Sequence, residues 1–199
     1  MTGYSDRVGH ALAFAAKKLS RDPTLPAAAL ARPANVAVIL ASYGCEEVTM
    51  VAAVLQEVIV QAPPAERPEL TRRLAEKFGS VTLAVIRDAL PPEPPTVRAL
   101  RRTWETECVD RLTHLATLEP RTVSIRAAQE ILDCGTILSD VRRLGHEYLP
   151  AIRAVTGAQL VWWFRSVAET LDRHEAWPRR EMLGELRLLT GELARELGT

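Results

Sequence analysis

The sequence has no excess of charge of either sign, no long apolar run and no paired-cysteine motif, and each absence removes a class of function. Its 25 Lys+Arg balance its 25 Asp+Glu. No global field therefore draws the chain to nucleic acid or to a membrane, and neither is expected as a partner. No apolar run approaches the roughly 20 residues needed to span a bilayer. The N-terminal stretch MTGYSDRVGHALAFAAKKLS lacks the basic start and cleavage site of a secretory signal. Cys45, Cys108 and Cys134 lie far apart with no CxxC pair. That pattern argues against a zinc site and for reduced thiols in a cytoplasmic protein. Strand alternation bounded by hairpin turns is missing, and so is any repeat period.

What remains is helical. The 199 residues are 47% hydrophobic and 25% charged, enough to bury the core of a single domain spanning 1–199. Val8, Ala11, Leu12, Ala15 and Ala16 recur at three- and four-residue spacing and predict a helix over 5–19. Ser5 is placed to cap it, and His10 on this helix reads as a hydrogen-bonded structural histidine. Pro23 and Pro26 lie in a linker over 21–31. A second helix opens near Pro33 and stops at Gly44, a natural left-handed cap. A third, from Glu46 to Gln61, is apolar nearly all round and is expected to be the central buried helix. Further helices are predicted over 67–78, closed by Gly79, and over 81–90, capped by Ser80. Beyond the PPEPP loop, helices follow over 96–116, 123–144, 158–173 and 179–197. The fold class is all-α. The last helix carries Met182, Leu186, Leu189, Leu193 and Leu197 as one amphipathic stripe, expected to close the core rather than to receive a partner. Trp162 and Trp163 are expected in the packed core.

The stretch 30–62, LARPANVAVILASYGCEEVTMVAAVLQEVIVQA, resembles the HD-domain phosphohydrolases. It is most similar to the branch containing the hydrolase domain of RelA/SpoT-type (p)ppGpp enzymes and small bacterial relatives. In that branch a His-Pro pair opens a helix, followed without a gap by VAxIL…G…T…AALLHDxxED. EKFGSVTLAVIRDAL is similar to the segment after the family's FG turn. RTWETECVDRLTHLATLEPRTVSIRAAQEILDCGTILSDVRRLG resembles WxxRKxxYLxxL…ADKLxNxxxILxDxRRxG. Trp162-Trp163-Phe164 is similar to an aromatic triplet of small relatives. The resemblance covers 15–171. It implies an HD-like multi-helix bundle, with 177–199 as an extra C-terminal amphipathic helix.

In that family two histidines and two aspartates hold a divalent metal, which polarises phosphate and makes a bound water nucleophilic at neutral pH. Here the resemblance puts Arg32 at the His of His-Pro, Gln56 and Glu57 at the His and Asp of His-Asp, and Gln129 at the Asp of A-D-K. A guanidinium cannot coordinate a metal, and an amide oxygen is a weak neutral ligand. The water-assisting Glu-Asp pair falls on Val60 and Gln61. The nucleotide-contacting Arg-Lys of the HxGQxRKGT loop falls on Asp22 and Pro23, that of WxxRK on Glu107 and Cys108, and the Asn of A-D-K-L-x-N on Asp133. Lys17 and Lys18 read as solvated surface lysines, and the acids Glu46, Glu47, Glu105 and Glu107 with His114 as helix-surface polarity rather than a new metal site.

The resemblance thus implies a pseudoenzyme, with no cofactor. It would act as a binding, scaffolding or regulatory module in the bacterial cytoplasm, through a protein partner or self-association. The alternative is an active (p)ppGpp or nucleotide phosphohydrolase with a rebuilt site, using a divalent metal such as Mn. Nucleotide binding without turnover has weaker support, because bases that would meet phosphate are gone. Loss of the metal is expected to leave Glu57 buried and anionic, with Arg32 as the cation that pairs with it and Gln56 and Gln129 completing the network.

Overall fold

Nine α-helices and one short 3₁₀ turn make up the regular structure of the described residues, and the fold is all-α as the periodicity requires. The computed structural model describes residues 5–19, 29–90, 103–147 and 155–199. The linker positions Asp22 and Pro23, the PPEPP loop and the first turns predicted after it lie outside them. The chain divides into two compact units, Met1–Leu90 and Pro91–Thr199.

The first unit is built around α3 (Glu47–Gln61), against which α1 (Asp6–Leu19), α2 (Ala31–Ser42), α4 (Arg67–Phe78) and α5 (Ser80–Ala89) all pack. Val51, Ala52, Val54 and Leu55 are wholly buried on α3. Burying one such leucine or valine contributes about 1.5–3 kcal/mol, so this one helix carries much of the unit's core energy. Helix α2 enters it through a tight reversal. The Gly44 N–H donates to the Ala41 carbonyl at 3.0 Å and the Cys45 N–H to the Leu40 carbonyl at 3.0 Å. Gly44 sits at φ +63°, so this is the paired-bond C-terminal motif that wants glycine. Pro33 lies in the first turn of α2, where its missing N–H costs nothing.

Helix α1 is held at both ends of its contact face. Ser5 Oγ accepts from the Val8 N–H at 3.2 Å, the expected cap, and donates to Glu47 at 2.6 Å. Arg7 donates to the Phe78 carbonyl at 2.8 Å. The rings of Phe14 and Phe78 meet edge to face with centroids 5.9 Å apart. Gly79, at φ +88°, ends α4 and is itself the residue preceding α5. Ser80 is thus already the first helical residue and does not cap α5, because the left-handed glycine makes the turn by itself.

In the second unit the 25-residue helix α7 (Pro120–Leu144) is flanked by α6 (Trp104–Leu115), α8 (Gly157–Asp172) and α9 (Arg180–Leu197). Helix α7 packs against α8 and α9, and α6 packs against α8. Thr103 caps α6, accepting from the Thr106 N–H at 3.3 Å. Thr156 and Gln159 form a reciprocal capping box on α8. The stripe on α9 closes the core of this unit: Met182, Leu186 and Leu193 are buried, and Leu189 and Leu197 half-buried. Trp177, just before α9, is buried and donates to Ser124 Oγ at 2.9 Å. Trp162 departs from expectation. It is 44% exposed and leans edge to face on Trp104 at 5.6 Å, because it faces away from the side of α8 that carries Val161, Phe164 and Val167. The three cysteines are free and buried. Among the described residues no helix is long and apolar enough to cross a membrane.

Candidate functional site

Three of the four ligand positions implied by the resemblance lie in the first unit. Arg32 is half-buried in the first turn of α2, Gln56 is buried in α3, and Glu57 is half-buried one residue on. The fourth, Gln129, is half-buried on α7 in the second unit, as is Asp133, while Glu107 is exposed and Cys108 buried on α6. Val60 and Gln61 are exposed at the end of α3.

The ion pair expected between Arg32 and Glu57 is not formed: no ion pair of the described residues joins them. Glu57 instead accepts from Gln61 Nε2, one turn along its own helix, at 2.8 Å. The physical reason is exposure. A half-exposed carboxylate keeps much of its hydration and does not require a buried cation to replace a lost metal.

Among the described residues the buried carboxylate is elsewhere. Glu130, next to Gln129, is 3% exposed. Arg126 Nη2 lies 2.9 Å from its Oε1, and the Trp163 indole N–H donates to its Oε2 at 2.8 Å. A second nitrogen of Arg126 donates to the Gln129 side-chain oxygen at 3.2 Å. Burial pushes the Glu130 carboxyl above the ordinary carboxylate range, and the Arg126 guanidinium opposes that rise. A charge network thus forms around Arg126 and Glu130 and includes Gln129. Trp163 belongs to it through its indole nitrogen and is half-buried.

The sequence held a signal for Glu130. Val123, Ala127, Glu130, Cys134, Ile137 and Val141 follow one another at spacings of four, three, four, three and four, the signature of a single packed face. An acid in that stripe must be buried or break the helix packing.

Neither nearby thiol is activated. Burial pushes Cys108 up from its usual range, and it pushes Cys134 up to about 12. Both stay protonated near neutral pH and lack thiolate character. Among the described residues no group of three or more His, Cys, Asp and Glu could hold a metal ion, which covers the acids around Glu46 and Glu105 and His114.

No protein-family profile matches the chain, and no curated protein sequence does. Solved structures do match. A metazoan ortholog of SpoT that hydrolyzes ppGpp and plays a role in starvation responses superposes with a TM-score of 0.63 at 19% identity, covering 100% of this chain and 99% of that one. The protein lmo0812 from Listeria monocytogenes EGD-e also gives a TM-score of 0.63, at 14% identity, covering 81% of this chain and 98% of that one. The chain has an HD-domain phosphohydrolase-like fold.

The residues that the resemblance puts at the ligand positions do not fit a divalent metal: they are a guanidinium, two carboxamides and one half-exposed carboxylate, where such an ion needs imidazole nitrogens and carboxylate oxygens.

Proposed function

We propose that this chain is a catalytically degenerate HD-type protein that works as a binding, scaffolding or regulatory module without metal-dependent hydrolysis. The donor chemistry at the inherited positions carries this reading: Arg32 and Gln56 replace both imidazoles, and Gln129 replaces a carboxylate. Loss of a single group behind a metal ligand typically costs about 10–100-fold in affinity or activity, and replacing three ligands is more severe. The acids and the thiol at Glu107, Cys108 and Asp133 point the same way, since they stand where phosphate-contacting and polar groups belong. The free, buried cysteines support work in a reducing compartment, the bacterial cytoplasm. The occupant of such a module is a protein partner or a second copy of the chain.

A second reading, an active phosphohydrolase with a rebuilt site, is favoured by the full-length structural likeness to a ppGpp-hydrolysing protein. Metal analysis of the purified full chain, with a phosphate-release screen on (p)ppGpp and nucleotides, separates the two. Degeneracy predicts no stoichiometric metal and no release above that of Glu57→Ala. Stoichiometric Mn, Fe or Zn, with turnover abolished in Glu57→Ala, would establish the second reading instead.

A further inference from the structure

A cavity of about 400 Å³ opens on the first unit between α1 and α4. It is lined by His10, Phe14, Lys17 and Lys18 from α1 and by Arg73 and Lys77 from α4, with Ala13 completing the wall. Four permanent or near-permanent cations and a histidine converge on it, and among the described residues no acid lines it. His10, expected as a hydrogen-bonded structural histidine, is exposed at this cavity.

None of Lys17, Lys18, Arg73 and Lys77 forms an ion pair with a described residue. The contrast with the neighbouring guanidinium is direct. Arg72, one residue before Arg73, bonds Glu69 at 2.7 Å and also pairs with Glu76. The carboxylates of Glu69 and Glu76 are thus bonded to Arg72; Arg73 feels Glu69 only at longer range, and neither Arg73 nor Lys77 is bonded to an acid of α4. In a chain of zero net charge, such a local excess is not a by-product of a basic composition. Like charges gathered around one concave mouth favour an anion that joins them.

The shape of the site narrows the anion. A volume of about 400 Å³ lies in the usual range of small-molecule pockets, roughly 300–1,000 Å³. A duplex or a long single strand would call for an extended basic stripe across a much wider surface. Arg73 offers a planar fork suited to phosphate oxygens, and the lysines act as point charges around it. Lys77 Nζ lies 5.5 Å from the centre of the Phe14 ring. That ring also rests on Phe78, so it holds one of the cations over a fixed apolar floor.

We infer that the α1–α4 cavity is a binding site for a small polyanion bearing two or more phosphate groups. The site shares no residue with Arg32, Gln56 and Glu57 and stands whether or not the inherited positions are active.

The test is calorimetric titration of the full chain with inorganic tripolyphosphate at low salt, repeated at rising salt. One-to-one binding that weakens steeply with salt is expected, with at least a tenfold loss in the double variant Arg73→Ala/Lys77→Ala. The Arg72→Ala variant should bind as the parent does. Circular dichroism melts of the variants report folding, and the exposed positions of Arg73 and Lys77 make those melts match the parent. Absence of saturable heat in the parent would overturn the proposal, as would equal loss in Arg72→Ala and in the double variant. A single-stranded RNA 12-mer that bound tenfold tighter than tripolyphosphate, and was released by the same double variant, would overturn the small-ligand assignment in favour of nucleic acid.

Discussion

Helices α3 and α7 are the central helices of their units, yet they treat charge in opposite ways. Helix α3 is apolar nearly all round, and its acid Glu57 is half-exposed and bonded to Gln61 on the same helix. Helix α7 carries Glu130 in the middle of its packed stripe and satisfies it with Arg126 and the Trp163 indole. Exposure decides the difference. Where water reaches a carboxylate, no buried cation is needed to hold its charge. Where water is excluded, the protein must supply a cation and a donor of its own, because the desolvation of an unpaired carboxylate costs several kcal/mol. A buried ion network therefore marks where packing demands compensation.

The sharpest way to break this comparison is to remove the cation from the buried pair. Arg126→Met should destabilise the protein by about 3 kcal/mol at pH 7 in urea denaturation, since it strands a buried carboxylate. The deficit should shrink as the pH falls, because Glu130 can then take up a proton. A loss below about 1 kcal/mol at pH 7 would mean that Glu130 does not depend on its guanidinium, and the contrast with Glu57 would collapse.

Glu130→Gln tests the same site by its pH dependence. The Glu130 carboxyl binds its proton more tightly in the folded state, burial being the main cause. Its contribution is therefore most favourable below the ordinary glutamate value of about 4.3, and declines as the pH rises through the elevated folded value. Melting curves between mildly acid and neutral pH should show this decline in the parent and not in the variant. Parallel curves would count against a perturbed Glu130.

The smallest effect is expected on α3. Glu57→Ala removes a half-exposed acid with a one-turn partner and should change stability by about 0.5 kcal/mol or less. A loss above 2 kcal/mol would restore the idea of a carboxylate dependent on a hidden cation.

Much of the fold was legible because helices with one buried stripe announce themselves. The spacing of Val8, Ala11 and Ala15, the Gly44 and Gly79 breaks and the Met182–Leu193 stripe all correspond to observed elements. The Schellman-type reversal at Gly44 follows from the same residue that ended the periodic pattern. The charge network was less legible. An arginine four residues before a glutamate reads as an ordinary solvated helix pair, and in Arg126–Glu130 only the apolar neighbours on the Glu130 stripe say otherwise. The Arg32–Glu57 pairing failed for a related reason: sequence spacing places a residue on a helix but does not fix how much water reaches it. The α1–α4 cavity was hidden because Lys17 and Lys18 stand 55 or more residues before Arg73 and Lys77, and only packing brings them to one mouth.

The Glu130 cluster also constrains alignment. Its carboxylate sits on α7 and its indole donor on α8, so the hydrogen bond between them fixes how far one helix may slide along the other. A slip of one turn would carry Glu130 away from the indole and against alkyl groups, while the apolar side chains around it could still find apolar neighbours. Hydrophobic contact alone tolerates such shifted pairings. A single buried acid with one directional donor does not. In this protein Glu130 is thus a register mark, set where an otherwise uniform stripe of Val, Ala, Cys and Ile would leave the two helices free to choose.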